Sequence, residues 1–170
     1  ESGDQSIVIN DVLIGEVWHA SGQSNMAMNL GAMSRELEVV KPDITAADLP
    51  ALRFCHINEA ESPSRLADLR SRANWTVCTP STVSRFSGVA FYFARRLHRE
   101  LGVPIGVIGS SRGGTPIEPF IPREAFDSHS TLKRELELGD QGNLNAIWKL
   151  PGGVRARDVN WLPGRLFHSR

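Results

Sequence analysis

An apolar run in this chain stops abruptly at Ser21-Gly22, and a serine follows at once, in the stretch Gly15-Glu-Val-Trp-His-Ala-Ser-Gly-Gln-Ser24-Asn-Met26. A serine hydroxyl is a poor nucleophile in the open. On a sharp strand-to-helix turn its oxygen stands clear of the backbone, and free N–H groups at the helix start point at whatever it attacks. The pattern departs from the Gly-x-Ser-x-Gly elbow, because Met26 occupies the position of the second glycine. A second turn, Gly109-Ser-Ser-Arg112-Gly113-Gly114-Thr115-Pro-Ile-Glu118, follows another apolar run, Val103 to Ile108. Glycines there let the backbone approach a ligand closely, since no Cβ intervenes. A phosphate loop is the rival for this turn, but Thr115-Pro116 stands where Lys-Ser/Thr is required. No Gly-x-Gly-x-x-Gly occurs either, which excludes a dinucleotide fingerprint.

The elements that must carry these turns are read from periodicity. Ser6–Asn10 alternates weakly, Val12–Ala20 is the first strong strand, and Asn25–Met33 continues as a helical turn. Residues 35–50, with Pro42 and Pro50, form a loop with helical pieces; Leu52–Ile57 is a second strand. The charged stretch Glu59–Asn74 is an exposed excursion. A helix spans Ser84 to Leu101: Phe86, Val89, Ala90, Phe93, Ala94, Leu97 and Leu101 recur every three or four residues, while Arg95, Arg96, Arg99 and Glu100 face away. Truncating Phe93, central in that stripe, is expected to be strongly destabilising. Gly102 ends the helix and Pro104 follows. Strand, excursion, strand, helix, strand and glycine turn make parallel βαβ units, whose sites lie at the carboxyl ends of strands. Ser24 and Gly113-Gly114 both fall there. Further on, a helix around Arg123–Leu138 and a last one from Trp161 to Phe167 are expected.

With 170 residues, 41% of them hydrophobic and 22% charged, the chain is read as one globular domain over 1–170, with residues 1–5 a linker. Nineteen basic residues balance nineteen acidic ones, which removes the electrostatic argument for nucleic acid or an anionic membrane. No apolar run reaches the length of a bilayer span. Cys55 and Cys78 read as two small core residues, with a single disulfide as the alternative for an exported protein. Neither Cys-x-x-Cys nor a helical His pair occurs, so no metal is expected. Oligomeric state is not written in the sequence.

The block Gly-Gln-Ser24-Asn-Met, the upstream Gly15-Glu-Val-Trp18 and the downstream Gly113-Gly114-Thr-Pro-Ile-Glu118 closely resemble the sialate O-acetylesterase family, within the SGNH hydrolases. The Pro80-Ser-Thr-Val-Ser-Arg-Phe-Ser helix entry is similar too. The resemblance implies an α/β, three-layer flavodoxin-like fold with a parallel sheet, here incomplete. It implies hydrolysis of acetyl esters on sugars, no cofactor, an acetylated carbohydrate as substrate, and an exported location. Ser24 would be the nucleophile. Gly114 or Gly113 would supply an oxyanion N–H, each such donor being worth about 3–4 kcal/mol. Gln23 and Asn25 would order the turn or reach the substrate. Arg112 departs from the family, which commonly has tryptophan there, and His19 replaces a usually apolar residue; both bear on the substrate pocket.

The family's base, a histidine in an Asp-x-x-His arrangement, and its Gln-Gly-Glu-Ser-Asn oxyanion block do not occur in this chain. The resemblance therefore extends from about residue 7 to 170 but covers only the front of a catalytic domain, and the chain alone is expected to be inactive or nearly so. Asp127-Ser-His129 is one residue short of the required spacing. Glu16-Val-Trp-His19 has the spacing, but positions i and i+3 of a strand face opposite ways. His56 is a weaker candidate at the end of the second strand, His98 is expected to be solvated, and His168 is terminal. The alternative is a non-catalytic esterase remnant or carbohydrate-binding module.

Overall fold

The computed structural model describes residues 6–57, 68–69, 72–114, and Lys133 and Glu137. The expected linker 1–5, most of the excursion, Asp127, His129, His168 and the helix at 161–167 lie outside the described residues. Of the helix expected over 123–138, Lys133 and Glu137 are described, and both are helical and exposed.

One open sheet organises the rest. Its strands are β1 (Glu16–Gly22), β2 (Leu49–His56), β3 (Trp75–Cys78) and β4 (Ile105–Ser111), in the order β1-β4-β2-β3. The α/β class and the parallel pairing of the strands that bear the site are as expected: β4 runs parallel to both β1 and β2. β3 adds an antiparallel partner to β2 that the sequence reading did not assign. Four residues in a strand are too short for a clear period, and two of the four are half-buried. Pro50, expected to end a loop, lies inside β2. It is tolerated because the β2–β3 register shifts between Leu49 and Arg53, where no ladder bond from residue 50 to β3 is needed.

β1 starts four residues later than expected. The ladder begins at Glu16↔Ile105, and Glu16 N–H donates to the Pro104 carbonyl at 3.0 Å, so upstream residues have no β4 partner. A Cβ on Gly15 would collide with that same carbonyl oxygen, which is why the approach is left to glycine. Upstream, Asp11 takes a left-handed φ of 58° and holds Arg53 through its carbonyl and carboxylate, at 2.8 and 2.6 Å. Ser6–Asn10 makes no strand.

After β1 the chain turns into α1 (Ser24–Ala27), breaks at Met28, and restarts as α2 (Leu30–Glu36) under an Asn29 cap that accepts from Ala32 N–H. A helix α3 (Val40–Thr45) precedes β2. The long helix, α4, spans Gly88–Leu101, shorter at its start than expected, because Ser87 is its N-cap and Val83–Arg85 form a separate 3-10 turn. Gly102 closes it with φ 66°, as its position after the apolar stripe indicated.

The buried face of α4 differs from the expected stripe. Ala90, Phe91 and Ala94 are buried, whereas Phe93 is 43% exposed and Val89 and Leu101 are also open. Arg95, expected to face away, is turned inward. It donates to Asp43 at 2.7 Å, with Tyr92 O–H donating to the same carboxylate at 2.8 Å, and its guanidinium lies 5.0 Å from the Phe91 ring. Docking on α3 thus draws the Phe91–Arg95 flank inward. Phe93 is left above the β1 edge, where it meets Trp18 edge-on at 5.1 Å. Leu30, Leu52, Val83, Phe91, Ile105 and Val107 complete the core, and Phe54 stacks on Phe86. Cys55 and Cys78 are both buried and free, so the disulfide alternative does not hold. Burial pushes the Cys78 thiol up to about 11. Among the described residues no helix is long and apolar enough to cross a membrane.

These positions reverse the expectation for Phe93. Phe91→Ala should lower stability by about 3–5 kcal/mol, the usual range for a fully buried phenylalanine. Phe93→Ala should cost clearly less. Urea midpoints of the two variants, measured side by side, check the ranking.

Candidate active site

The two turns hang from adjacent parallel strands. β1 pairs with β4 from Glu16↔Ile105 to Gly22↔Ser111, and Arg112 N–H continues the ladder to the Gly22 carbonyl at 2.9 Å. Gly22 takes φ 144°, the sharp bend that lets the chain leave β1 and enter α1 within two residues. Ser24 is the first residue of α1 and is exposed.

On the other side the chain leaves β4 through Arg112 into Gly113-Gly114. A Cβ built on Gly113 would lie 3.9 Å from both Cα and Oγ of Ser24, and Gly114 N–H donates to Ser24 Oγ at 3.4 Å. Gly114 has φ 71°, which favours glycine. Ser24, Gly113 and Gly114 are therefore brought together at the carboxyl ends of β1 and β4. The long hydrogen bond leaves the amide aimed at the hydroxyl without being saturated by it.

Gln23 and Asn25 flank the serine and are exposed. Ser24 Oγ donates to Gln23 Oε1 at 2.7 Å, so the amide side chain orients the hydroxyl. A neutral amide oxygen takes no proton at neutral pH, so Gln23 is no base. Arg112 is half-buried between the two turns.

The histidines weighed as bases are placed elsewhere. His56 ends β2, beside Gly109, whose Cβ would lie 3.8 Å from His56 Nδ1. β4 separates it from β1, two strand spacings or about 10 Å. His98, expected in solvent, is half-buried and bonds the Val103 carbonyl through Nδ1 at 2.7 Å, closing the end of α4.

His19 lies on the sheet face shared by Ile108 and Ser110. Its Nε2 is hydrogen-bonded to Ser110 Oγ, and Ser21 Oγ donates to the Ser110 carbonyl at 3.2 Å. Sequence reading did not find this contact. It joins residues offset by two positions across the ladder, which only the β1–β4 register reveals. A cavity of about 440 Å³ opens away from the serine, at the amino-terminal end of β1 and β4, between residues 9–13, Arg53 and Trp75.

No family model matches the chain. Sialate O-acetylesterase from Rattus norvegicus is 32% identical over 135 residues, which is 74% of this chain and 24% of that protein. The Homo sapiens protein of the same name is 34% identical over 121 residues, or 66% of this chain and 22% of its own. Among solved structures, a carbohydrate acetylesterase from Xanthomonas citri matches with a TM-score of 0.63 at 31% identity, over 72% of this chain and 27% of that one. The chain resembles the sialate O-acetylesterases. It spans about a quarter of the length of the curated relatives it matches.

Against the sialate O-acetylesterase pattern, His19 is the departure with the clearest physical consequence. His19 is exposed overall, but the side of its ring turned to Ser110 is partly desolvated, which holds the imidazole below the ordinary 6.5, so the folded protein favours the neutral ring. The folded pKa lies under the unfolded one. The stabilisation is therefore fully present above 6.5 and is lost as pH falls from there to the depressed folded value. Urea midpoints taken at about pH 7.5 and about pH 5 should differ for the parent chain. His19→Leu should remove that part of the difference.

Proposed function

We propose that this chain carries the nucleophile half of a carbohydrate O-acetylesterase site, acting on acetyl esters of sugars such as acetylated sialic acid. The observation that carries this reading is the Gly114 N–H directed at Ser24 Oγ across two adjacent strand ends. In it, Ser24 Oγ attacks the acetyl carbonyl, the carbonyl electron pair moves onto oxygen, and the Ser24 and Gly114 N–H groups hold the resulting oxyanion. Gly113 keeps the path to the serine open. Gln23 orients the hydroxyl, Asn25 reaches toward the sugar, and Arg112 lines the mouth, where a fixed cation suits a carboxylate-bearing sugar better than a large apolar group. The proton of Ser24 must go to a base that is not among the groups bonded to it here, since its hydroxyl hydrogen rests on Gln23. That same hydrogen bond favours the second reading, a remnant that holds acetylated sugar without cleaving it.

A thiol at position 24 separates the two, because it attacks aryl acetates without needing a strong base. The native cysteines contribute little background, since burial raises both thiol pKa values. The parent chain and Ser24→Ala should both turn over p-nitrophenyl acetate near the background rate. Ser24→Cys should give a burst of one acetyl per chain, located at residue 24 by peptide mass. The burst should be about 100-fold faster than acylation of the exposed control Glu38→Cys, as one or two positioned oxyanion donors would produce. Equal rates at 24 and 38 would leave only the sugar-holding reading. Rapid turnover by the parent, abolished in Ser24→Ala, would instead place a working base among this chain's own histidines.

A further inference from the structure

β1 and β4 are weakly keyed to each other at two places along their ladder. Two of the seven matched positions on β4 are glycines: Gly106 faces Val17 and Gly109 faces Ala20. Neither glycine offers a side chain to pack across the strand gap. At Gly106 the space is taken by the Trp75 ring, whose Cη2 would stand 3.0 Å from a Cβ there. Glycine-rich ladders specify register weakly, since cross-strand side-chain pairs normally resist slippage. β1 is also an edge among the described strands, bonded to β4 alone, and Glu16 to His19 are exposed. Backbone hydrogen bonds would be regained after a slip; side-chain contacts would not.

The site leaves little room for such slippage. A shift of one residue would carry Ser24 about 3.3 Å along the strand and invert its face. The Gly114 N–H contact to Ser24 Oγ is already 3.4 Å long, so even a fraction of that shift breaks it. Something at the carboxyl end of the pair must hold β1 in place.

Ser110 is the buried polar side chain of the described core, and its hydroxyl is met by His19 Nε2. His19 stands opposite Ile108, so its ring reaches diagonally forward by two residues toward the site. Ser21 O–H grips the Ser110 carbonyl from the same strand. Immediately beyond come the Arg112 N–H to Gly22 carbonyl bond and then the two turns. An apolar side chain at 19 could fill the volume but would leave the buried hydroxyl without this partner.

We propose that His19 is a positioning residue: through Ser110 it fixes the register of β1 on β4 and so holds Ser24 Oγ opposite the Gly114 N–H. It touches no reacting atom, and its effect on acylation rests on the esterase reading of that site.

The test uses the Ser24→Cys protein, with p-nitrophenyl acetate as acyl donor, and reads two quantities. One is acylation, resolved into a limiting rate and a half-saturating concentration. The other is hydrogen exchange at the Arg112 amide, which reports the ladder directly and needs no chemistry. His19→Leu should lower the limiting rate about 10- to 100-fold, as an ångström-scale misplacement does, with half-saturation unchanged and Arg112 exchange faster. Ser110→Ala should behave alike, and the double variant should be no worse than either single, since both remove one contact. His19→Gln, whose amide can reach Ser110, should restore most of the rate; His19→Asn, one carbon shorter, should not, and this polar pair decides the matter should the leucine variant fail to fold. Unchanged rate and unchanged Arg112 exchange in His19→Leu and His19→Asn would overturn the proposal. If the thiol of the Ser24→Cys protein is not acylated even with His19 in place, the esterase reading fails by itself, and the exchange data alone then sustain or overturn the clamp.

Discussion

The parallel pairing of β1 with β4 is the interaction on which the rest of this structure depends. It sets two turns side by side that are about ninety residues apart in the chain, one bearing a hydroxyl and the other bare amides. Parallel strands cannot be joined by a tight turn, so a long crossover must run between them. Here that crossover holds α1, α2, α3, β2, β3, the 3-10 turn and α4. Most of the described molecule thus serves to bring the chain back alongside β1 in the same direction. β2 contributes directly by pairing with the other side of β4 from Ile105 to Gly109, which makes β4 a strand paired on both sides there. The glycine turn is therefore the better anchored of the two, since among the described strands β1 is bonded on one side only.

The packing of α4 follows from competition between its two flanks. Both carry large apolar or aromatic groups, so periodicity alone does not choose between the Phe91 and Phe93 sides. The choice is made by α3, through Asp43. The adjacent Arg95 guanidinium holds the Asp43 carboxyl below the usual range, with the Tyr92 hydroxyl also favouring the charged form. Arg95 and Asp43 side chains retain only 18% and 32% exposure, so this pair is more than a solvent-screened surface contact. An arginine whose guanidinium lies over the Phe91 and Tyr92 rings adds cation–π contact to the ion pair. Counting only apolar letters assigns that contribution to the wrong flank.

What could be read from the sequence divides along that line. Where geometry is enforced by one residue's local chemistry, reading succeeded. Gly22 and Ser24 at a strand end, Gly113-Gly114 after an apolar run, and Gly102 after the helix all stand where backbone constraints placed them. Reading failed where the cause is a distant partner. β1 begins at Glu16 because β4 begins at Ile105, and no feature of Val12–Gly15 itself announces that. β3 exists because β2 offers an edge. Arg95 turns inward because Asp43 lies fifty-two positions away. The His19–Ser110 contact belongs to the same class, for it appears only once the two strands are in register.

The candidate site itself divides in the same way, and this bears on its chemistry. On the esterase reading, its oxyanion half would be built from backbone amides at strand ends, groups that the main chain itself supplies. Its proton-accepting half requires a side chain delivered from elsewhere in space. Ser24 rests meanwhile on Gln23, next to it in the chain, which orients the hydroxyl but accepts no charge. A preorganised set of amides stabilises an oxyanion whichever nucleophile creates it. Removing the base therefore lowers the population of the attacking alkoxide without dismantling the cradle, since catalytic groups that act as a unit fail together while donors held by the backbone do not. On that reading the amide cradle keeps its shape for as long as β1 stays in register on β4.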